Sequence, residues 1–359
     1  MILLFNKIIG LLIIIIVILV GMFIYVYYSM ESDQSTTWEF HESVHDAGWN
    51  PDALEQARRY YDSINSTSAM AIYEGKVLFS WGDVTKSTNA HSVRKSFLSA
   101  LIGIEKEKGG FPPLDKSLED LSIDDNPPLN PLEKQAELQH LLTSTSGVYL
   151  PAGEESWGMR RARPNRSSHL PGHFYYYNNW DFNVLGTIYN QATESDLFED
   201  FQRNIAEPIG MEDFQLSHTH YKYENRRSTH PSYLFRMSAR DFARFGQLYL
   251  QEGKWEGEQI VPKKWIKEST SDHAEVPSNS LFDYGYLWWV ATESPFSDLD
   301  MYSAVGRYGQ SIDIIPELDL VFVNRVDSNR LTFGITRSSV NELQRMQLLQ
   351  LILDAKRTE

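Results

Sequence analysis

The sequence predicts an α+β fold in which an antiparallel sheet is flanked by helices. Three observations predict it. Two β-rich runs near residue 70 are joined by a glycine-containing connection. Further β-rich runs recur after residue 280, separated by short turns. Between these groups, apolar residues recur mostly at helical spacing. Strands that follow one another through short turns pair antiparallel.

The chain has 359 residues, 42% hydrophobic and 13% aromatic, which supports a large core. That length allows one large domain or two of ordinary size. The net charge of −15 leaves no footprint for nucleic acid. The absence of cysteine excludes disulfides, thiolate metal sites and cysteine nucleophiles.

Ile8 to Tyr28 contain no charged residue. That length suits a bilayer-crossing helix, whereas a secretory signal has a shorter apolar region and a small-residue cleavage site. Tyr25, Tyr27 and Tyr28 close the run, Lys7 precedes it, and Glu31 and Asp33 follow. The pattern predicts an uncleaved signal anchor over residues 1–30, crossing the membrane once through residues 8–28. The main domain is then extracytoplasmic. A cleaved signal peptide would export the same domain. Residues 31–50 read as a polar stalk and residues 51–359 as the folded domain. His41-Glu42-Ser43-Val44-His45 in the stalk matches H-E-x-x-H. Zinc needs both histidines on one face of a stable helix plus a third ligand. Gly48, Asn50 and Pro51 leave room only for a short helix, and no metal is expected.

Pro51 to Ile64 reads as a helix with Leu54, Ala57 and Tyr61 on one side. Ala69–Tyr73 and Val77–Trp81 form a hairpin through Glu74-Gly75-Lys76. Residues 111–133, rich in proline and acid, read as an ordered surface connection. Residues 134–146 resume a helical pattern, which Thr143 to Gly147 break. Arg160, Arg161, Arg163 and Arg166 form a basic loop, either solvated or a clamp for a substrate carboxylate. His173 to Leu185 is dense in aromatics and reads as core packing. Alternatively, it sets Tyr177 and Asn179 beside a reaction centre, where a nearby lysine cation would draw the tyrosine's pKa down. Ser238 caps a helix carrying Phe242, Phe245 and Leu248, which Gly253 stops. Tyr284–Val290 reads as one apolar strand. Strands also flank Gly306 and Gly309, Pro316–Asp319 make a turn, and Leu320–Val326 form another strand. The last helix runs from Ser338 to Ala355, with Val340, Leu343 and Leu351 among its apolar positions.

The chemistry centres on His91 to Ile104, HSVRKSFLSALIGI. Ser92 and Lys95 stand three apart before an apolar helical run, so they share a face near a helix N-terminus. A serine hydroxyl becomes a nucleophile when a base takes its proton, and a lysine serves if burial or nearby cations lower its pKa. S-x-x-K is an acyl-transfer pattern. An N-cap serine beside a solvated lysine fits the same residues.

Taken in order, several stretches resemble the serine β-lactamase and penicillin-binding-protein superfamily, in its class C-like branch of esterases, D-aminopeptidases and 6-aminohexanoate-dimer hydrolases. They are Ser92-Val93-Arg94-Lys95, His140 to Gly147 ending in Thr-Ser-Gly, and Tyr177-Asn178-Asn179 followed by Asn183-Val-Leu-Gly186. Met237 to Gly246 and Gly306-Arg-Tyr-Gly-Gln310 complete the set. The resemblance runs from about residue 60 to the C-terminus. It implies a β-lactamase-like sheet with a helical lobe and a cleft between them. Tyr176-x-Asn178 also fits the second motif; Tyr177-x-Asn179 is chosen for its distance to Asn183. The third motif usually begins with lysine or histidine. Here Arg307-Tyr308-Gly309 takes that place and would bind substrate, which puts β-lactam recognition in doubt.

By the same resemblance, Ser92 attacks an ester or amide carbonyl, with D-amino-acid peptides within that range, while Lys95 and Tyr177 shuttle its proton. Asn179 orients Lys95 or the substrate. The N–H groups of Ser92 and Gln310 hold the oxyanion, and water releases the acyl group. No cofactor is required. The partners are a small-molecule ester, amide or peptide and the membrane. The rival reading is a catalytically inactive surface binding or scaffold protein of the same fold.

Overall fold

The computed structural model describes residues 38–277, 281–332 and 336–356. The expected anchor and residues 31–37 of the stalk lie outside them. Among the described residues no helix is long and apolar enough to cross a membrane.

Helix α1 (Pro51–Ser63) begins where the Asn50 side chain accepts from the N–H groups of Asp52 and Ala53, with Pro51 in the first turn. Leu54, Ala57 and Tyr61 are its buried face, as their spacing predicts. β1 (Ser68–Tyr73) and β2 (Lys76–Gly82) follow, turning through Glu74 and Gly75 with φ of 48° and 75°. Two consecutive left-handed residues are what a tight hairpin turn needs. Then come α2 (Arg94–Lys108), α3 (Asn179–Thr193) and α4 (Ala239–Leu250). The second strand group is β3 (Phe282–Tyr284), β4 (Trp289–Ala291), β5 (Tyr302–Gly306), β6 (Gln310–Ile315) and β7 (Leu320–Arg325), and α5 (Glu342–Leu353) follows.

The seven strands make one antiparallel sheet in the order β2-β1-β7-β6-β5-β4-β3. The first strand therefore pairs with the last, Ser68 opposite Arg325 and Tyr73 opposite Leu320. All residues of β1, β6 and β7 are buried, so the sheet is covered on both faces. Alternation along β1 sends Ala69, Ala71 and Tyr73 into the core under α1 and α5, with Leu348, Leu349 and Ile352. On the opposite face α4 lies close: a Cβ on Gly246 would stand 2.5 Å from a Val321 methyl. In the helical lobe α2 is buried from Arg94 to Ile104. Its Phe97 is ringed by Phe201, Phe235, Phe242 and Phe245, at centroid distances of 5.1, 5.4, 5.8 and 4.8 Å.

Three expectations are corrected. Residues 39–50 are part of the domain rather than its stalk. The N–H of Val77 donates to Glu39 O, that of His41 donates to Val77 O, and Trp49 is fully buried in the core. His41 and His45 sit in a turned segment, not on a helix, and His41 Nε2 hydrogen-bonds the Tyr73 carbonyl. The run Tyr284–Val290 is not one strand. It breaks between β3 and β4, because the N–H groups of Tyr286 and Leu287 are taken by Ser269 O and Leu142 O. The last helix starts only at Glu342, where Asn341 and Gln344 form a capping box. Val340 precedes it, and Leu343 points to solvent at 82% exposure.

Phe97→Ala removes the centre of the aromatic cluster. It is expected to cost about 3–5 kcal/mol of unfolding free energy, read by equilibrium urea denaturation.

Candidate active site

A turn of 3-10 helix, His91–Val93, leads into α2 and carries Ser92. No side chain caps this turn or α2, so the Ser92 hydroxyl is not spent as an N-cap. Lys95 is buried at 1% exposure. Its Nζ lies 2.7 Å from Ser92 Oγ and 2.9 Å from Tyr177 Oη. It also stands 4.7 Å from the Tyr177 ring centroid and 4.6 Å from that of Phe182. No carboxylate pairs with it among the described residues. Burial, and then the Arg94 guanidinium, hold its pKa well below that of a free lysine.

Tyr177 departs from expectation. Burial pushes its phenol up to about 12, against smaller downward pulls from Ser92 and Arg94. The expected lowering needed a fixed lysine cation, and Lys95 is itself driven toward the neutral amine. Tyr177 therefore rests as a phenol. It stacks on Trp289 at 5.7 Å and meets Tyr284 edge-on at 6.0 Å.

The loop carrying Tyr177 is tied to the Thr-Ser-Thr-Ser-Gly stretch at residues 143–147. Ser144 Oγ donates to Tyr176 O at 2.8 Å and accepts from Asn178 N at 2.9 Å. Ser146 Oγ donates to the buried Asp181 at 2.6 Å, and Asn178 caps α3. Of the two registers, Tyr177 meets the lysine, while Tyr176 Oη donates to Met159 O. Asn179 faces the cavity. Its Nδ2 donates to Gly153 O at 3.3 Å and its Oδ1 is buried without a partner, so it does not reach Lys95.

The third-motif strand meets the serine at Gly306. A Cβ there would lie 2.7 Å from Ala90 O and 3.1 Å from Ser92 N, so only glycine fits. The triplet against the serine is thus Ala304-Val305-Gly306, not Arg307-Tyr308-Gly309, and it begins with neither lysine nor histidine. Arg307 and Tyr308 line the cavity from the following turn, whereas Gly309 packs on Val340. Gln310 is buried outside the lining, its side chain exchanging hydrogen bonds with Val326.

The cavity over Ser92 holds about 370 Å³. His91, Arg94, Glu154, Trp289 and Arg337 also line it, and the sequence alone did not single them out. Arg94 and His91 carried a signal, since one sits inside the S-x-x-K motif and the other just before it; Glu154, Trp289 and Arg337 come from distant segments. His91, Glu154 and Tyr308 adopt φ of 50°, 59° and 71°, so three strained non-glycine residues surround one cavity. His91 bonds Ser328 at 2.8 Å, and burial lowers its pKa to about 4, leaving it neutral. The basic loop is no clamp at Arg163 and Arg166, which pair with Glu155 and Glu133. A larger cavity of about 570 Å³, lined by His140, His173 and His273, does not include Ser92.

A buried lysine between a serine hydroxyl and a phenol, under an antiparallel sheet, defines a serine hydrolase. Residues 52–331 match the Beta-lactamase family, and the chain belongs to it. Among curated proteins no sequence matches the chain. Its fold is similar to those of many solved structures. One, from Bacillus anthracis, is described as a 6-aminohexanoate-dimer hydrolase (19% identity, TM-score 0.64, 83% of this chain and 80% of that one). Another is the octameric penicillin-binding protein homologue from Pyrococcus abyssi (20%, 0.61, 85% and 77%). The third is EstCE1, a hydrolase with promiscuous acyltransferase activity (13%, 0.59, 84% and 97%).

The buried lysine has a consequence for stability. In the unfolded chain the lysine keeps its proton up to about pH 10.5. In the folded chain it loses the proton at lower pH. The unfolded state then binds more protons across that window, and stability rises with pH through it. Lys95→Met is expected to be more stable than the parent at pH 7, with the gap closing toward pH 10, read from urea midpoints across pH.

Proposed function

We propose that this protein cleaves a small ester or amide through an acyl-enzyme on Ser92. The observation that carries it is the buried Lys95 amine within hydrogen-bond reach of both Ser92 Oγ and Tyr177 Oη. Ser92 Oγ bonds to the substrate carbonyl carbon as its proton passes to Lys95. The oxyanion lies against the Ser92 N–H. Gly306 packs beside that group, which favours the backbone just after it, at Arg307, over Gln310 as the second donor. The bond to the leaving group breaks, and Tyr177 passes it a proton that Lys95 replaces. Water then attacks the acyl-enzyme and gives its proton to the same pair, which returns it to Ser92 Oγ as the bond between that oxygen and the acyl carbon breaks. Asn179 offers its unpartnered Oδ1 to a substrate N–H.

We also propose that residues 8–28 anchor the chain in a membrane with the hydrolase domain outside the cytoplasm. The uncharged run from Ile8 to Tyr28 supports this.

Treatment with a neutral fluorophosphonate should add one adduct to the parent chain and none to Ser92→Ala, read by intact mass. No adduct on folded parent refutes an activated serine. Tyr177→Phe should lower kcat by about 10²–10⁴-fold. For the parent, kcat/KM should fall on the acid side as Lys95 takes up a proton. In fractionated cells the full chain should sediment with membranes and residues 32–359 should not.

A further inference from the structure

The basic loop contains two arginines that the serine site does not use. Arg163 and Arg166 are held by carboxylates, but Arg160 and Arg161 are exposed and form no ion pair among the described residues. Both lie on the short helix Trp157–Ala162, which buries none of its residues. Positions three and four apart share a helix face, so Trp157, Arg160 and Arg161 stand on one side. The Arg161 guanidinium lies 5.1 Å from the Trp157 ring centroid, and that side chain is 64% exposed.

The helix borders the serine cavity. Ser156 and Met159 line the cavity, and Met159 O accepts from the phenol of Tyr176, the residue before Tyr177. A second loop is tied to the chain just before the helix. Glu154 N donates to Glu224 Oε2 at 2.8 Å, and Arg227 Nη1 donates to Ala152 O at 3.4 Å. This loop adds exposed Tyr223 and Arg226, and Arg226 also has no ion pair among the described residues. The whole chain carries −15, yet this rim is locally cationic and aromatic. Screening in physiological salt acts over about 8 Å, so an approaching surface meets the local charge rather than the net charge.

Arginines alone suit any polyanion. An exposed indole on the same face suits a bilayer, where the ring sits at headgroup depth and guanidinium groups meet anionic lipid. Chain length agrees. The uncharged run ends at Tyr28, and the compact domain begins at Glu39. Residues 29–38 reach at most about 36 Å when fully extended. A domain tethered that closely meets lipid at high effective concentration.

We propose that the helix Trp157–Ala162 docks the domain on an anionic bilayer, with the rim of the serine cavity against the lipid. This rests on the membrane-anchor reading and is independent of the hydrolase reading. The contact is weak alone and is sustained by the tether, so residues 32–359 still wash off membranes.

The full chain in lipid nanodiscs tests this. The protein has no cysteine, so a single introduced one carries a fluorophore cleanly. Gly158→Cys puts the label on the helix, where a Cβ meets only Ser156 Oγ, at 3.7 Å. Lys264→Cys puts it beside the far end of α2 from Ser92. Discs contain phosphatidylcholine alone or mixed with phosphatidylglycerol, each with a quencher attached to the lipid. In the mixed discs the label at 158 should be quenched and the label at 264 should not. Arg160→Gln and Arg161→Gln should each lower the ratio of docked to undocked chain by about fivefold, and added salt should lower it further. Trp157→Ala should lower it with little dependence on salt. These side chains are exposed, so thermal midpoints should stay at the parent value. Equal quenching at 158 and 264, or equal quenching at 158 in both kinds of disc, overturns docking through this helix. A label at 158 that escapes lipid quenching and responds instead to soluble polyphosphate overturns the bilayer in favour of an anionic polymer. A full chain that does not enter the discs overturns the anchor, and the docking with it.

Discussion

The structure depends on the desolvation of one amine. Lys95 sits among aromatic faces with no carboxylate to hold its charge. In water the ammonium is the stable form; here burial shifts the balance toward the neutral amine. A carboxylate placed beside it would favour the cation. The surroundings obey that constraint. Its hydrogen-bond partners are two hydroxyls, and the charge that acts on it most strongly is another cation, Arg94.

Rigidity follows from how the parts are held. Ser92 and Lys95 come from one continuous turn and helix. Tyr177 comes from a loop, which is where precision is hardest to keep. The loop is anchored by Ser144, Ser146 and the buried Asp181, so a run of small hydroxyl residues acts as its brace. On the opposite side, Gly306 lets a sheet strand approach the serine to van der Waals distance. The break after Tyr284 has a similar role. It frees the Tyr286 and Leu287 carbonyls to accept from Ser99 and Ser96 of α2, tying the helix to the sheet's far edge.

Much of this was legible in the sequence, and the limits have physical causes. The hairpin, α1 and α4 were read from local signals: a Glu-Gly-Lys connection, the spacing of Leu54, Ala57 and Tyr61, and Ser238 as a cap. Ser92, Lys95 and Tyr177 were found through ordered motifs, and the structure brings their side chains together. Local signals failed where long-range partners decided. Tyr284–Val290 has strand composition, but two of its N–H groups bond to distant carbonyls. Trp49 stands in a polar stretch, and only the fold reveals the core it fills. The third motif was placed three residues late because Gly306 and Gly309 look alike in sequence; only contact with Ser92 separates them. Glu154 and Arg337 reach the cavity from segments with no motif of their own.

The pairing of β1 with β7 also sets when the site comes into being. The hairpin β1–β2 is made early in synthesis, yet its inner edge waits for the last strand of the sheet. The core beneath it waits longer still, for α5, and Trp49 pairs with Lys356 at the far end of the described chain. Contacts this distant close slowly and together. Gly306, against which the serine rests, is likewise translated long after Ser92. A growing chain therefore displays Ser92 without its surroundings, and the cavity over it is walled in only when the late strands are in place.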